Sequence, residues 1–253
     1  MPLNKIILVV SLLALHISVL AQQNFLQKQK AFPRVEQAFK LKDDSLRTQF
    51  KRANLSFPPE QIYLRSFKYD SELEVWVKPF LSDSFKLFKT YKVCALSGSL
   101  GPKRIEGDFQ VPEGFYYINE FNPKSMYHLS LGINYPNASD LLLSDSLNPG
   151  NEIYVHGGCI TVGCIPIKDQ QIEELYLLAA YAKENGQDFI PVHIFPVRYN
   201  VKKSFEYLAL QSKGNEAYQL FAVTIQDVFD YFNHYKKLPF IAIDEKGNYS
   251  VIQ

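Results

Sequence analysis

The stretch IYVHGGCITVGCIPIKD, residues 153–169, combines a strand pattern, two glycine turns and two cysteines. Its first three residues are apolar with high β-propensity and predict a short buried strand. His156 follows directly, and Cys164 lies eight positions further on. Because only the thiolate of a cysteine is a good nucleophile, a nearby imidazole is what makes such a residue reactive. The spacing therefore indicates a candidate thiolate–imidazole pair.

The glycines around this pair support a reactive site. Gly157, Gly158 and Gly163 let the backbone bend sharply and approach a ligand closely. Backbone N–H groups around Gly163 and Cys164 could then face a developing oxyanion. Taken singly, His156 is also compatible with a buried structural histidine, and Cys164 with a small core residue. Together, and bracketed by glycines, they favour catalysis.

Other chemistries for the same residues are weaker. His156, Cys159 and Cys164 could be three metal ligands, but their spacing fits no usual zinc pattern and no fourth ligand is close in sequence. The two cysteines are not in a Cys-x-x-Cys arrangement, which argues against a redox pair. The sequence therefore predicts no metal site here.

The N-terminus resembles a secretory signal. Lys5 precedes an apolar run over residues 6–20 that ends in small residues at Ala21. This pattern predicts a signal peptide over residues 1–21, cleaved after Ala21, and an extracytoplasmic protein with no stable membrane span after cleavage. An uncleaved membrane anchor is the alternative. No cysteine lies at the expected cleavage point, which argues against a lipid anchor.

The cysteine count and the composition limit which classes of protein this chain can belong to. Cys94, Cys159 and Cys164 are the three cysteines, and an odd number in a secreted chain implies at least one free thiol or an intermolecular bond. Lys and Arg total 27 against 26 Asp and Glu, so there is no electrostatic argument for nucleic-acid binding. The 253 residues, 47% hydrophobic, suffice for one large domain or one domain with an addition.

Hydrophobic periodicity predicts a mainly β fold with flanking helices, of the α+β class. Residues 22–60 predict an amphipathic helix, with Pro33 in its first turn, followed by a linker. Residues 61–199 predict several short strands, including one over 126–133, and a helix capped by Asp169. Residues 200–253 predict a helix and a terminal hairpin, packed as an addition on the domain before it.

Several motifs carry a family resemblance. VHGGCITVGC, residues 155–164, resembles the active-site signature of the L,D-transpeptidase catalytic domain, with His156-Gly157 and Thr161-Val162-Gly163-Cys164 matching its two parts. GPKRIEGDFQVPEGFYYI, residues 101–118, is similar to another segment of that family. Tyr127 to Ser130, Asn134 to Asn137 and the helix-forming IPIKDQQIEELY resemble further segments of its murein-transpeptidase branch. The resemblance spans residues 61–198.

The resemblance implies a β-sandwich fold and a cysteine enzyme acting on peptidoglycan stem peptides in the periplasm. It assigns Cys164 as nucleophile and His156 as general base. It also implies that Gly163 and Cys164 donate backbone N–H groups to the oxyanion, while Gly157 shapes the loop. The enzyme would attack the carbonyl of an L-centre that precedes a D-centre, release the D-residue and pass the acyl group to an amine. No metal or organic cofactor is implied.

Further residues are candidates for substrate binding. His128, Lys103, Glu113 and Thr161 lie in the family-like segments. A strand histidine bonded to a neighbour, or a solvated loop charge, would explain the first three equally well. His193 lies in an apolar strand, which predicts a position in the core.

Two departures leave the reaction outcome open. Val162 stands where many members have a histidine, and Pro166 where many have arginine or asparagine. Their absence favours the murein-transpeptidase-like branch, which also includes members that hydrolyse bonds. The alternatives to transfer are therefore an L,D-carboxypeptidase or endopeptidase, and a non-enzymatic wall-binding module. The sequence predicts neither the acceptor amine nor the oligomeric state.

Overall fold

A computed structural model of the protein describes residues 24–79 and 81–252. The predicted signal peptide lies outside these residues. The helices are α1 (Phe25–Lys30), α2 (Pro33–Arg52), α3 (Ala138–Leu143), α4 (Asp169–Glu184), α5 (Lys202–Gln211) and α6 (Glu216–Tyr235). The strands are β1 (Gln61–Phe67), β2 (Glu72–Lys78), β3 (Lys86–Lys92), β4 (Gly114–Asn122), β5 (Ser130–Ile133), β6 (Tyr154–His156), β7 (Ile165–Pro166), β8 (Ile190–Phe195), β9 (Phe240–Ile243) and β10 (Tyr249–Ile252).

The first eight strands form one sheet in the order β3-β2-β1-β8-β4-β5-β6-β7, and β9 pairs with β10 in a separate hairpin. β1 with β8 and β6 with β7 are parallel, and the remaining pairs are antiparallel. The predicted mixed α+β class is confirmed. The predicted sandwich takes the form of a single long sheet covered by helices.

Alternation along β1 shows how the sheet is covered on its two faces. Ile62 and Leu64 are fully buried in a hydrophobic cluster shared with α2 and α4. Phe67 points the other way, into a cluster built with Phe229 of α6 and Tyr249 of β10. Successive strand residues face opposite sides, and all of β1 after Gln61 is buried, so both faces of this strand are covered. The C-terminal segment therefore closes one face of the sheet.

Several local predictions need correction. The strand expected over 126–133 covers only Ser130–Ile133, because His128 has a φ of +72° that interrupts an extended chain. The short helix α3 is not among the elements predicted from the sequence. Asp169 is the first residue of α4 rather than its cap, since Lys168 occupies the N-cap position and makes no side-chain capping bond.

Candidate active site

Sheet register places the predicted pair on one face. β6 and β7 are parallel, with Val155 opposite Ile165 and His156 opposite Pro166. Val155 and Ile165 are buried in the core. Matched residues of neighbouring strands point to the same side, and successive residues alternate. Carrying the alternation back one residue from β7 puts Cys164 on the same face as His156.

Cys164 is the free cysteine of this structure and is half-buried. Its Sγ lies 3.6 Å from the carbonyl oxygen of Glu152. Burial raises the pKa of the thiol, while the backbone N–H of Tyr154 lowers it, the Glu152 carboxylate raises it and the Lys103 ammonium lowers it. The net direction is upward, so the resting group is a thiol.

His156 is held in a defined tautomer. Its Nδ1 lies 2.5 Å from the carbonyl oxygen of Gly157. Since a carbonyl only accepts hydrogen bonds, Nδ1 carries the proton and Nε2 of the neutral ring has a free lone pair. Burial lowers the pKa of His156, with the Gly157 hydrogen bond opposing that effect. Among the described residues, no hydrogen bond occupies Nε2, so the imidazole is set up as a base.

At two positions of the loop, neighbouring atoms lie so close to the backbone that only glycine fits. A Cβ at Gly163, where φ is +138°, would lie 2.9 Å from the carbonyl oxygen of Gln110. A Cβ at Gly157 would lie 2.6 Å from Asp169 Oδ1 and 2.8 Å from the Tyr127 carbonyl oxygen. Real Cβ atoms do not make contacts this short with backbone, so a side chain at either position would displace the loop.

The loop before Cys164 is braced by a hydroxyl. Thr161 Oγ1 donates to the Cys164 carbonyl oxygen at 2.8 Å and accepts from the Gly163 N–H at 3.1 Å. The Gly163 N–H, expected to face the oxyanion, is therefore engaged by Thr161 in this structure. Thr161 shapes the loop in the manner of a serine or threonine turn.

A disulfide holds the other end of the loop. Cys94 and Cys159 are bonded, with their Cα atoms 5.5 Å apart and 65 positions apart in sequence. The Cys94 N–H also donates to the Pro166 carbonyl oxygen at 3.0 Å, so this segment lies against β7. Cys159 is thereby removed as a nucleophile or metal ligand. The odd cysteine count allowed a free thiol or an intermolecular bond, and in this structure Cys164 is a free thiol.

His128 and Lys103, two of the candidate binding residues, occupy different surroundings. His128 lies in the turn before β5, with Nε2 2.9 Å from Glu173 Oε1. Lys103 is buried and pairs with Asp108 at 2.5 Å, and its charge acts on the thiol of Cys164.

Glu113 is fully buried and is not in contact with the thiol loop. Its carboxylate pairs with Lys68 at 3.0 Å and accepts from the Tyr218 hydroxyl at 3.1 Å and from the Gly101 N–H at 2.7 Å. These contacts link the start of β4 to α6 and leave the carboxylate no accessible surface in this structure. A substrate-binding role for Glu113 stays a prediction.

Sequence reasoning missed two groups at the site. The Tyr127 ring lies against the His156 ring, with centroids 4.7 Å apart and planes at 34°. Asp169 Oδ1 accepts from the Gly158 N–H at 2.7 Å and anchors the loop. Tyr127 stands in a family-like motif, which was the available indication, but its contact with His156 depends on the turn at His128. Among the described residues, no cluster of three or more His, Cys, Asp or Glu side chains is placed to hold a metal ion.

Comparison with known proteins gives a consistent family. The sequence model of the YkuD family, the L,D-transpeptidase catalytic domain, matches residues 81–194. YafK of Escherichia coli (strain K12), named as a candidate L,D-transpeptidase, is 31% identical over 192 residues, which is 75% of this chain and 73% of YafK.

Two solved structures are also similar. One is a single-residue variant of the helical cell shape determining protein Pgp2 from Campylobacter jejuni, with 22% identity and a TM-score of 0.43 over 70% of this chain and 60% of that one. The other is Bd1075 of Bdellovibrio bacteriovorus, with 20% identity and a TM-score of 0.41 over 71% of this chain and 64% of that one. The chain thus spans less than two thirds of either structure.

The family match includes both His156 and Cys164, and the relative aligns over three quarters of the chain. The resemblance seen in the sequence motifs is confirmed. The chain belongs to the L,D-transpeptidase family.

Proposed function

We propose that this protein is a cysteine-dependent L,D-transpeptidase that acts on peptidoglycan stem peptides outside the cytoplasm. The observation that carries the proposal is the free thiol of Cys164 on the same sheet face as His156, whose tautomer leaves Nε2 as a base. The two other cysteines are bonded to each other. The pair therefore has one nucleophile and one base. Among the described residues, no helix has the length and apolar character to cross a bilayer.

The pKa directions define how the reaction starts. Burial raises the pKa of Cys164 and lowers that of His156, so both groups are neutral at rest. A preformed thiolate–imidazolium pair is therefore disfavoured, and the proton moves as the nucleophile attacks. The thiol first turns away from the Glu152 carbonyl oxygen, a weak sulfur contact of 3.6 Å.

The proposed reaction has two steps, formation of a thioester on Cys164 and transfer of the acyl group to an amine. Cys164 Sγ bonds to the carbonyl carbon of the L-centre while its proton passes to His156 Nε2. The peptide C–N bond breaks, and the departing amine of the D-residue takes that proton, which leaves a thioester. An acceptor amine then attacks the thioester, loses a proton to His156, and the thiol is restored by the same proton. The Cys164 N–H is the proposed oxyanion donor, and the Lys103 ammonium adds positive charge nearby.

The test is incubation with a disaccharide-tetrapeptide, followed by mass spectrometry of the products. Cross-linked dimers support transfer, whereas a trimmed monomer would show hydrolysis by the same acyl-enzyme. Unchanged substrate would contradict an enzymatic role. Cys164→Ala should remove all product, whereas the matched control, the double variant Cys94→Ala/Cys159→Ala with Cys164 as its only cysteine, should still form product. A carbapenem adduct on Cys164, detected by intact mass, would independently identify the nucleophile.

A further inference from the structure

A groove beside the catalytic loop has no part in the chemistry described above. It has a volume of about 790 Å³, within the range of small-molecule sites. One wall is the segment Leu100–Arg104 with Gln110, and the other is the first half of α6 with the turn of the terminal hairpin. The segment after residue 199 therefore contributes much of this groove.

The groove and the thiol lie on opposite sides of a single chain segment. Pro102 and Arg104 line the groove, whereas Lys103 between them is buried and acts electrostatically on Cys164. Gln110 also lines the groove, and its carbonyl oxygen abuts Gly163. A ligand in the groove would thus run beside the site where a stem peptide is attacked.

The charge of the lining argues for an uncharged ligand. None of the described residues that line the groove carries a carboxylate, and Arg104 is its only cation among them. That guanidinium is already paired with Asp140 at 2.9 Å. An anionic peptide would find no free countercharge here, and burying its unpaired carboxylates would be costly.

The remaining lining groups suit a sugar chain. Gln211, Asn215 and Asn248 line the groove with amides, and hydroxyl and N-acetyl groups require both donors and acceptors. Asn215 Oδ1 already accepts from the Tyr218 N–H, and Asn248 Nδ2 donates to Asp244, so these two offer the Asn215 NH₂ group and the Asn248 carbonyl oxygen. Phe221 is half-buried and offers part of an aromatic face to the C–H face of a sugar ring. We propose that this groove binds the uncharged, N-acetylated glycan strand of peptidoglycan, while the stem peptide crosses the Leu100–Arg104 segment to Cys164. This inference rests on the proposed function for its choice of polymer.

The test compares two substrates that differ only in the sugar. The wild-type kcat/KM should be about tenfold higher for a disaccharide-tetrapeptide than for the free tetrapeptide, since remote contacts assist the reacting centre. Ala217→Trp fills the groove from an exposed position on α6 and should bring this ratio close to one without slowing the free tetrapeptide. Ala209→Trp, exposed on α5 and outside the groove, is the control and should keep the ratio.

A binding measurement separates this inference from the proposed function. A tetramer of β-1,4-linked N-acetylglucosamine should bind the wild-type protein and the Ala209 variant in calorimetry, with at least about tenfold weaker binding to the Ala217 variant. If the tetramer binds but neither peptide substrate is turned over, the proposed function is wrong and the groove assignment stands. Equal kcat/KM values for the two substrates would overturn the groove assignment. So would calorimetry in which the free tetrapeptide, rather than the sugar tetramer, binds more weakly to the Ala217 variant.

Discussion

Two buried histidines, one at the edge of the sheet and one at its centre, show how position separates a reactive group from a core group. His156 ends β6, which pairs outward only with the two-residue strand β7. His193 lies in β8, between β1 and β4. Burial lowers the pKa of both rings, and that of His193 falls to about 3.

The difference lies in what surrounds each ring. His193 Nδ1 lies 2.8 Å from the Tyr63 hydroxyl, and the rings of Tyr63 and Phe115 pack edge-on against it. His156 is bonded to its neighbour's carbonyl through Nδ1 and covered by Tyr127 on one side. A lowered pKa is therefore shared by both environments. What distinguishes His156 is its place at the sheet edge, beside the strand that follows Cys164.

The largest expected effect tests this contrast directly. His156→Gln should lower kcat on a disaccharide-tetrapeptide by about 10²–10⁴-fold, because it removes the base. His193→Gln should leave kcat of the folded fraction within about threefold, because the ring contacts no reacting atom. Steady-state kinetics with circular dichroism measure both. A folded His193 variant as slow as the His156 variant would break the comparison.

The second prediction concerns acid stability. The unfolded chain takes up a proton at His193 below pH 6.5, while the folded protein resists it until about pH 3. Stability from this group is therefore present above pH 6.5 and is lost as pH falls toward 3, by up to ~1.4 kcal/mol per pH unit. His193→Gln should reduce the pH dependence of the free energy of unfolding, measured in urea between pH 6.5 and 4.5. His234→Gln, exposed on α6, should retain it, and an unchanged slope in the His193 variant would contradict the assignment.

A smaller effect is expected at the ring covering the base. Tyr127→Ala admits water to His156, so its lowered pKa should rise toward 6.5. The acid limb of the kcat/KM profile should then move to higher pH, with little change on the alkaline side. Tyr127→Phe keeps the ring and should match the wild type. An unshifted limb in the alanine variant would show that the ring does not tune the base.

The smallest expected effect concerns α2, which contacts the turn before β5. The Arg34 guanidinium donates to the Ser125 carbonyl oxygen at 2.7 Å and to that of His128, and so holds the turn that carries Tyr127. Arg34→Met should lower kcat about two- to fivefold, since the loss is of positioning rather than chemistry. Arg52→Met, exposed at the end of the same helix, is the matched control. Equal activity of both variants with the wild type would exclude this role.

Much of the fold was predictable where local pattern and burial agree. Short strands were expected from residue 61 onward and β1 begins there, and Pro33 begins α2 as expected. The errors occur where a distant contact decides the backbone. The strand expected from residue 126 starts only at Ser130, because Arg34 and the left-handed His128 hold the preceding turn.

By itself, the sequence determined that a strand, two glycine turns and a cysteine follow one another around His156, because these properties depend on residues adjacent in the chain. Only the tertiary structure decided which thiol is free, since the Cys94–Cys159 bond joins residues 65 positions apart. It also decided that the Gly163 N–H is taken by Thr161 and that Glu113 is buried under α6. Such outcomes depend on distances between elements, which hydrophobic patterning along one chain does not specify.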